Sequence, residues 1–462
     1  MTVTYDAFVA AKGRADAYSG IDAPDIHAKL FPHQMDLVLW ALRRGRAAIF
    51  ADTGLGKTLM ELEIARHASR IGRVLILAPL AVAEQTVREA AHFDIAGVAH
   101  SRHDSGALID VCNYEMLHTR DPGAYAAVLL DESSILKSFD GATRNALIAA
   151  FAETPYRFAF TATPAPNDFT ELGNHSEFLG IKTRTEMLAE YFVHDGGSTQ
   201  DWRVKGHAIT PFWRWVATWG AVVKMPSDLG HDDSRFKLPP LRMHEHVVAL
   251  GQDVAQRAGM LFVPQAATLA DQRAVRRATV GERVAKAAAL AAGSAPAIVW
   301  CELNDEADAA TDAIPGAIQV RGADDPDVKA AALVGFTEGR HRVMVTKPSI
   351  AGFGLNWQHC ATMIFVGASH SYEQTYQAIR RCWRFGQTRP VDVHIIRSDA
   401  DGAVIANFRR KEADAARMAA EMTAHVGDAV RAEVRGGRRE WNPYEPRTPM
   451  QVPRWLSTTE NP

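Results

Sequence analysis

Short, almost wholly apolar runs alternate with stretches of helical periodicity along most of the chain. They lie at 47–51, 73–79, 108–113, 126–131 and 157–161, and again at 297–301, 317–321, 342–346, 361–367 and 391–397. Strands that are apolar on both faces and separated by helices are typical of a parallel sheet covered by helices on both sides. Because the pattern occurs twice, it predicts an α/β fold with two lobes, each built on a parallel sheet.

The sequence between the two sets is of a different kind. Four of the ten tryptophans lie in residues 173–240, which contain Gly-rich polar stretches and end at the rigid joint Leu238-Pro239-Pro240. A helical run rich in Ala and charge follows at 403–425. These shifts predict an N-terminal extension (1–28), a first lobe (29–180), a helical, aromatic insertion and linker (181–240), a second lobe (241–425) and an Arg- and Pro-rich tail (426–462).

Composition excludes several classes of protein. The hydrophobic fraction of 47% argues against a mainly disordered chain, and 51 basic against 54 acidic residues argue against nucleic-acid binding by overall charge. No run approaches the ~20 apolar residues of a membrane helix, and residues 1–13 have no apolar run of signal-peptide length. The four cysteines form no Cys-x-x-Cys pair, which fits a reducing compartment. We therefore expect a cytoplasmic protein.

A Gly-rich run follows the first apolar strand and precedes the helical pattern at 59–64. Its sequence is Ala51-Asp52-Thr53-Gly54-Leu55-Gly56-Lys57-Thr58. Such a loop turns its backbone N–H groups toward phosphate oxygens at a helix N-terminus. Lys57 is then expected to reach the β- and γ-phosphates of ATP, and the Thr58 hydroxyl to ligate Mg²⁺. The alternative is an ordinary glycine turn between a strand and a helix.

Two carboxylates stand at the end of the apolar run 126–131. The carboxyl end of a buried strand is where α/β proteins form ligand sites. There, Asp131 is expected to hold Mg²⁺, and Glu132 to orient and deprotonate the attacking water. The alternative is an acidic pair that only caps a turn.

Arginines cluster after the apolar run 361–367. On a helix, Arg381 and Arg384 project from nearly the same face, and guanidinium groups match phosphate oxygens in a fork geometry. If the lobes close, this pair is placed to stabilise charge on a transferred phosphoryl group. The alternative is a solvated basic helix face, to which we assign Arg380 and Arg389.

The order of these motifs resembles the RecA-like motor of superfamily 2 helicases and translocases, in its Snf2-like branch. The resemblance covers roughly residues 30–397. It is carried by Leu30-Phe31-Pro32-His33-Gln34 (the Q motif), 51–58 (motif I), Asp131-Glu132-Ser133-Ser134 (motif II), Thr161-Ala162-Thr163-Pro164 (motif III), Gly352-Phe353-Gly354-Leu355-Asn356 (motif V), and Gln377 with Arg381, Arg384, Gly386 and Gln387 (motif VI). Ser134 differs from the family, which has His at this position. Residues Lys347-Pro348-Ser349 differ from the family's sequence before motif V.

The resemblance implies two RecA-like lobes with ATP and Mg²⁺ bound in a cleft between them. The resemblance also implies that Gln34 recognises the adenine base of ATP. It also implies that five residues couple hydrolysis to lobe movement: Thr161, Thr163, Gly354, Asn356 and Gln377. The partner implied is nucleic acid, in the Snf2-like branch double-stranded DNA. A motor this compact is similar to those encoded by bacteriophages and prophages.

Candidate strand contacts follow from motif position. They are the loop after Pro79, Asn113-Tyr114, Gly322 and the loop 347–356. In the insertion, a helix is expected over 210–219, whose packing face is Phe212, Trp215, Val216, Trp219 and Val222. Trp213 and Arg214 lie off that face and are candidates for stacking on a base or guiding a strand.

These features predict an Mg²⁺- and ATP-dependent helicase or translocase that moves on duplex DNA. Two alternatives stay open from the sequence. One is the same motor on RNA or on a partly single-stranded junction. The other is a nucleotide-dependent DNA-binding scaffold with little turnover, for which the altered motifs II and V are the only support.

Overall fold

The computed structural model describes residues 20–137, 141–165, 168–194, 202–248, 276–293, 295–351, 356–367, 371–398 and 401–434. Of the motif residues named above, Gly352, Phe353, Gly354 and Leu355 of motif V lie outside these ranges. Across the part described, no helix is both long and apolar enough to cross a membrane.

The first lobe is built on a seven-stranded parallel sheet. Its strands are β1 (Arg46–Ala51), β2 (Val74–Ala78), β3 (Val98–His100), β4 (Ile109–Asn113), β5 (Ala127–Leu130), β6 (Tyr156–Phe160) and β9 (Gly220–Val223). They lie in the order β3-β4-β2-β5-β6-β1-β9, which puts β1 beside β6 and β9. Nearly every residue of β1, β2, β4 and β5 is buried, as expected for a sheet covered on both faces.

The second lobe is built on a six-stranded parallel sheet. Its strands are β10 (Leu241–Val248), β11 (Ala297–Cys301), β12 (Ala317–Gln319), β13 (Val343–Thr346), β14 (Thr362–Val366) and β15 (Val391–Ser398). The order is β10-β15-β14-β11-β13-β12. The predicted fold class, an α/β protein with two lobes of parallel sheet, is therefore confirmed.

Helices connect the strands and cover the sheets. In the first lobe they are α1 (Pro32–Arg44), α2 (Lys57–Ala68), α3 (Leu80–His92), α4 (Ala142–Ala150) and α5 (Leu172–Leu179). The insertion contributes α6 (Arg184–Tyr191) and α7 (Ile209–Ala217). The second lobe has α8 (Val280–Leu290), α9 (Asn304–Ala313), α10 (Pro326–Thr337), α11 (Pro348–Ala351) and α12 (Tyr372–Ile379), followed by the long helix α13 (Gly402–Val434).

The insertion contains strands as well as helices, and one of its strands belongs to the first sheet. Besides α6 and α7 it contains an antiparallel pair, β7 (Phe192–His194) and β8 (Trp202–Val204). Strand β9, although it lies beyond residue 180, extends the first sheet by pairing with β1. The insertion is therefore attached to the strand that leads into the Gly-rich loop.

The helix α7 packs on more sides than its sequence pattern predicts. Phe212 and Val216 are buried, as expected for its packing face, and Trp215 is half-buried. The helix ends at Ala217, so Trp219 is buried beyond its end and Val222 lies in β9, which corrects the expectation that both belong to the helix. However, Trp213 is also buried, at 2% exposure, with its ring edge-to-face against Phe169. Trp213 is thus part of the core and is not available to stack on a base, whereas Arg214 is exposed.

The helix α13 follows the second lobe in sequence but packs on the first. Met422 and Val430 are buried in the core of the first lobe, and α13 contacts α7, β9 and α1. Near its end, the Arg431 guanidinium donates to the Asp228 carbonyl oxygen at 3.1 and 3.2 Å. Two expected boundaries are corrected in part: Met422, expected in the second lobe (241–425), packs in the first, and the helix continues to Val434 into the expected tail at 426–462. The chain therefore ties the two lobes together a second time.

We predict that Met422→Ala destabilises the first lobe, although Met422 comes after the second lobe in sequence. Removing a buried Met side chain costs about 2 to 5 kcal/mol through lost burial and the cavity left behind. Urea denaturation followed by the fluorescence of the first-lobe tryptophans measures the change. Ala416→Gln, at an exposed position of the same helix, is the matched control. Equal stability of both variants would contradict the packing of α13 on the first lobe.

Candidate active site

The Gly-rich loop lies between β1 and α2 in a conformation that needs its glycines. Gly54 and Gly56 have φ values of 91° and 79°, in the left-handed region that side chains disfavour. A Cβ on Gly56 would lie 2.2 Å from Nε2 of Gln34. That amide nitrogen donates to the Leu55 carbonyl oxygen at 2.7 Å, and Oε1 of Gln34 accepts from the Phe31 N–H at 2.9 Å. Gln34 thus braces the loop in this structure.

Lys57 begins α2 and turns back toward the strand. Its Nζ donates to the Ala51 carbonyl oxygen at 3.0 Å, so the ammonium group lies over the loop. Thr58 follows in the first turn of the same helix. The free N–H groups of a helix N-terminus and one lysine therefore face the same space, which is an arrangement suited to phosphate.

The acidic pair lies at the carboxyl end of β5, two strands from the loop. Asp131 is buried, and its Oδ1 accepts from the Glu132 N–H at 2.9 Å. Glu132 has a φ of 51°, which is uncommon for a residue with a side chain and marks stored backbone strain. The Tyr114 hydroxyl donates to the Asp131 carbonyl oxygen at 2.6 Å. Tyr114 therefore supports this turn and, being buried, is not the strand contact expected from its motif.

A third carboxyl group lies beside this pair and was not singled out from the sequence. Glu61, one turn after Lys57 on α2, is fully buried, and neither of its carboxyl oxygens has a hydrogen-bond partner among the described residues. Burial raises the pKa of Glu61, and the Asp131 carboxylate raises it further. Burial likewise raises the pKa of Asp131, with Glu132 adding to the effect and Lys57 opposing it. The two carboxyl groups thus share one buried site in which it is unfavourable for both to be ionised at once.

The two arginines of the second lobe face the loop of the first. A cavity of about 350 Å³ lies between the lobes. Its lining includes Gln34, Thr53, Gly54, Gly56, Lys57, Thr58, Asp131, Glu132, Arg381 and Arg384. A smaller neighbouring cavity of about 250 Å³ is lined by Asp52 and Leu55 among others. The structure therefore brings together in one cleft almost all the residues predicted for ATP binding and catalysis.

Arg381 is buried, and Arg384 is half-buried. Burial lowers the pKa of Arg381, and it lowers the pKa of Arg384 to about 9, with the neighbouring Arg381 charge as the next cause. Nε of Arg384 is buried and has no acceptor among the described residues. Desolvated guanidinium groups beside one another are unfavourable unless an anion is bound between them. The cavity is thus electrostatically prepared for a polyanion.

Arg380 does not lie on a solvated basic face, and this expectation is corrected. It is 5% exposed and contacts Asp52 and Thr53 of the Gly-rich loop. The sequence pattern missed the role of Arg380 because Arg380 and Arg381 are adjacent in the chain. The pattern does not show which neighbour each of the two side chains meets. Arg389, by contrast, is exposed, as expected.

Four of the five residues expected to couple hydrolysis to movement, all except Gly354, lie in the part of the chain that the structure describes. Thr161 follows β6, and its hydroxyl accepts from the Thr163 N–H at 3.1 Å. Gln377 is buried on α12, one turn before Arg381, whose Nε donates to the Gln377 carbonyl oxygen at 3.1 Å. Asn356 is partly buried, with Oδ1 lacking a partner among the described residues. Their coupling role stays a prediction.

A histidine from a distant helix contacts the acidic turn beside Ser134. The side chain of Ser133 meets Nε2 of His175, from α5, at 3.1 Å, and the His175 ring packs edge-to-face on Phe50 of β1. His175 therefore links the acidic turn to the helix that follows motif III. Burial lowers the pKa of His175 to about 4.

We predict that His175 makes the protein acid-labile between pH 6.5 and pH 4. The unfolded chain takes up a proton at His175 with an ordinary pKa of 6.5, whereas the folded state does so only near pH 4. The unfolded state thus binds more protons in this window, and stability falls by about 3 kcal/mol as the pH drops to 4. The test is urea denaturation of wild type and His175→Leu at pH 7 and pH 4.

His175→Leu should lose about that much less stability on acidification than wild type. His103→Leu is the control, since His103 is exposed, and it should behave as wild type. If His175→Leu shows the full wild-type loss, His175 is not held neutral in the folded state.

The remaining candidate strand contacts follow parallel strands at their carboxyl ends. Pro79 comes directly after β2, Gly322 lies in the loop after β12, and Lys347 comes after β13. Gly322 is exposed, and Lys347 leads into the short helix α11. Their contact with nucleic acid stays a prediction.

Comparison with known proteins gives a similarity of fold to solved structures. No protein-family model and no curated protein matches the chain. Among solved structures, the SWI2/SNF2 ATPase core of Sulfolobus solfataricus in complex with double-stranded DNA is similar, at 16% sequence identity and a TM-score of 0.40. The similarity covers 90% of this chain and 98% of that one. At this identity, residue roles do not transfer from one chain to the other.

Proposed function

We propose that the protein is an Mg²⁺-dependent ATPase whose two lobes grip ATP jointly and use its hydrolysis to move along double-stranded DNA. One observation carries the proposal. Lys57 of the first lobe and Arg381 and Arg384 of the second line the same cavity, with Asp131 and Glu132 on its wall. A glycine turn or a basic helix face with no function would not place these groups around one space.

We assign a chemical task to each group from its chemistry and its place in the cavity. Lys57 and the N–H groups of the loop bind the β- and γ-phosphates. The carboxylate of Glu132 orients a water molecule and takes its proton. Arg381 and Arg384 stabilise the negative charge that develops on the transferred phosphoryl group, and more strongly because little water reaches them. Gln34 is proposed to read adenine once a nucleotide enters.

The residues present also fit Mg²⁺. Thr58 and Asp131 offer the oxygen ligands that Mg²⁺ prefers, and the ion is usually held by one or two carboxylates together with phosphates and waters. The carboxyl oxygens of Glu61, which lack a hydrogen-bond partner among the described residues, lie beside Asp131, and a bound divalent cation would favour the ionised form of both groups. When bound, Mg²⁺ supplies Lewis-acid stabilisation of the phosphate oxygens.

The choice of duplex DNA as the nucleic acid along which the protein moves rests on motif VI. Its ending, Gly386-Gln387-Thr388-Arg389-Pro390, resembles the Snf2-like branch, which supports duplex DNA over RNA. The four unpaired, buried cysteines support action in a reducing compartment, the cytoplasm. A phage or prophage origin stays a prediction.

We predict that wild type hydrolyses ATP with Mg²⁺ and that duplex DNA stimulates the rate more than single strands or RNA do. Glu132→Gln should lower phosphate release about 10²- to 10⁴-fold while ATP still binds, because only the proton acceptor is lost. Lys57→Ala should lose tight ATP binding as well. Phosphate release across the nucleic-acid panel, together with binding of a fluorescent ATP analogue, measures both.

Two outcomes would contradict this assignment. Full DNA-stimulated turnover in Glu132→Gln or Lys57→Ala would refute the site. Binding of ATP by wild type with no phosphate release on any nucleic acid would favour the scaffold, and stimulation by RNA alone would exclude duplex DNA as the track.

We further predict that Arg384→Ala lowers the rate of hydrolysis about 10³-fold or more, as expected for an arginine that stabilises the transferring phosphoryl group. Arg389→Ala is the matched control, because this arginine lies five residues on and is exposed. Its rate should stay within about 3-fold of wild type in the absence of DNA. Equal rates for the two variants would show that Arg384 does not face the reacting phosphate.

A further inference from the structure

The helix α12 reaches across the cleft to the Gly-rich loop. At its start, Glu373 forms an ion pair with Lys137 of the first lobe. One turn later, the Tyr376 hydroxyl donates to Oδ1 of Asp52 at 2.8 Å. Directly after the helix, Arg380 meets the same loop. Tyr376 and Arg380 thus both contact the start of the Gly-rich loop, at Asp52 and Thr53.

Arg380 makes three contacts with the Gly-rich loop. Its Nε donates to the hydroxyl oxygen of Thr53, its Nη2 donates to the carbonyl oxygen of Thr53, and Nη2 lies 3.4 Å from Oδ1 of Asp52. A fork of this kind holds both the position and the angle of the partner, which a lysine cannot do.

Arg380 is itself held in place by aromatic rings. Its guanidinium lies 5.0 Å from the ring centre of Trp383 and 5.8 Å from that of Tyr376. Trp383 is fixed in turn, since its indole N–H donates to the Pro239 carbonyl oxygen of the interlobe linker at 2.7 Å. The side chain of Arg380 is therefore pre-positioned on the second lobe.

The backbones of the two lobes also come close together beside this contact. A Cβ on Gly54 would lie 3.0 Å from the Phe385 nitrogen and 3.3 Å from its Cβ. The loop therefore packs directly on the segment that carries the arginines. A small rotation of either lobe would break the fork at Thr53 and displace Arg381 and Arg384 at once.

We propose that Arg380, assisted by Tyr376, is a positioning residue that clamps the Asp52–Thr53 turn and thereby delivers Arg381 and Arg384 to the nucleotide. This inference rests on the proposed ATPase function for its effect on turnover, but the clamp itself is a property of the two lobes. Arg380 does not touch the reacting phosphate in this account. Its loss lowers the fraction of molecules with closed lobes and leaves the chemistry of the closed state unchanged.

The direct test is the distance between the lobes, measured by single-molecule energy transfer between dyes at His103→Cys and Asp312→Cys. Both positions are exposed, one in each lobe, and the native cysteines are buried. In Arg380→Ala the ratio of closed to open molecules should fall about 10-fold or more, the range for charge-assisted hydrogen bonds. Arg380→Lys should fall between wild type and Arg380→Ala.

Two further variants separate a clamp from general stability. Lys137→Ala removes the partly exposed ion pair at the other end of α12 and should change the ratio less than 5-fold, because exposed pairs contribute little. Asp52→Asn combined with Arg380→Ala should open the lobes hardly more than Arg380→Ala alone, since the two groups share one interaction. The melting temperature of each variant should stay near that of wild type.

Turnover gives the second readout. Arg380→Ala should lower kcat about 10-fold or more while the KM for ATP changes less than about 3-fold, because Lys57 and the loop N–H groups are intact. An unchanged distance distribution in Arg380→Ala, or full additivity of the two substitutions, overturns the clamp. Absence of hydrolysis in wild type overturns the proposed function and leaves the distance measurement as an independent test.

Discussion

Electrostatic repulsion inside the cleft is the constraint on which the arrangement depends. Arg381 and Arg384 lie beside each other with little water around them, and Lys57 faces the same cavity. Three cations placed in this way are stable only when the fold forces them together or when an anion separates them. In the same cleft, burial raises the pKa of Asp131 and of Glu61, while the carboxylates of Asp131 and Glu132 partly offset the charge of Arg381. In the function proposed above, Mg²⁺ with a nucleoside triphosphate would compensate both groups of charges at once.

Holding these groups in place requires that the two lobes keep a fixed relation. The linker brings Pro239 to Trp383, and α13 returns from the second lobe to bury Met422 in the first. These two covalent routes limit how far the lobes separate. Within that limit, the contact of Arg380 with Thr53 sets how often they close. Stability, lobe movement and catalysis are thus connected through a small set of contacts around the Gly-rich loop.

The local chemistry of the site could be predicted from sequence because it depends on short-range order. A glycine turn between a strand and a helix places Lys57 and Thr58 whatever the rest of the chain does, and apolar strands fix where Asp131 and Glu132 emerge. Both features depend on residues that are neighbours along the chain. The two sheets followed from the same kind of pattern.

What the sequence did not show depends on contacts between distant segments. The pairing of β9 with β1, the burial of Trp213 against Phe169 and the packing of α13 on the first lobe are all long-range. Helical periodicity separates an exposed face from a buried one but does not identify a second neighbour. The same limit explains why Arg380 was assigned to a solvated face, since only the closed cleft brings it to Thr53.

The most direct test of the central claim is an experimental structure with Mg²⁺ and a non-hydrolysable ATP analogue. The account predicts that Nζ of Lys57 and the guanidinium of Arg384 both lie within hydrogen-bond distance of the γ-phosphate, so that one phosphate is held from both lobes. A bound analogue contacted by Lys57 alone, with both arginines turned toward solvent, would contradict it.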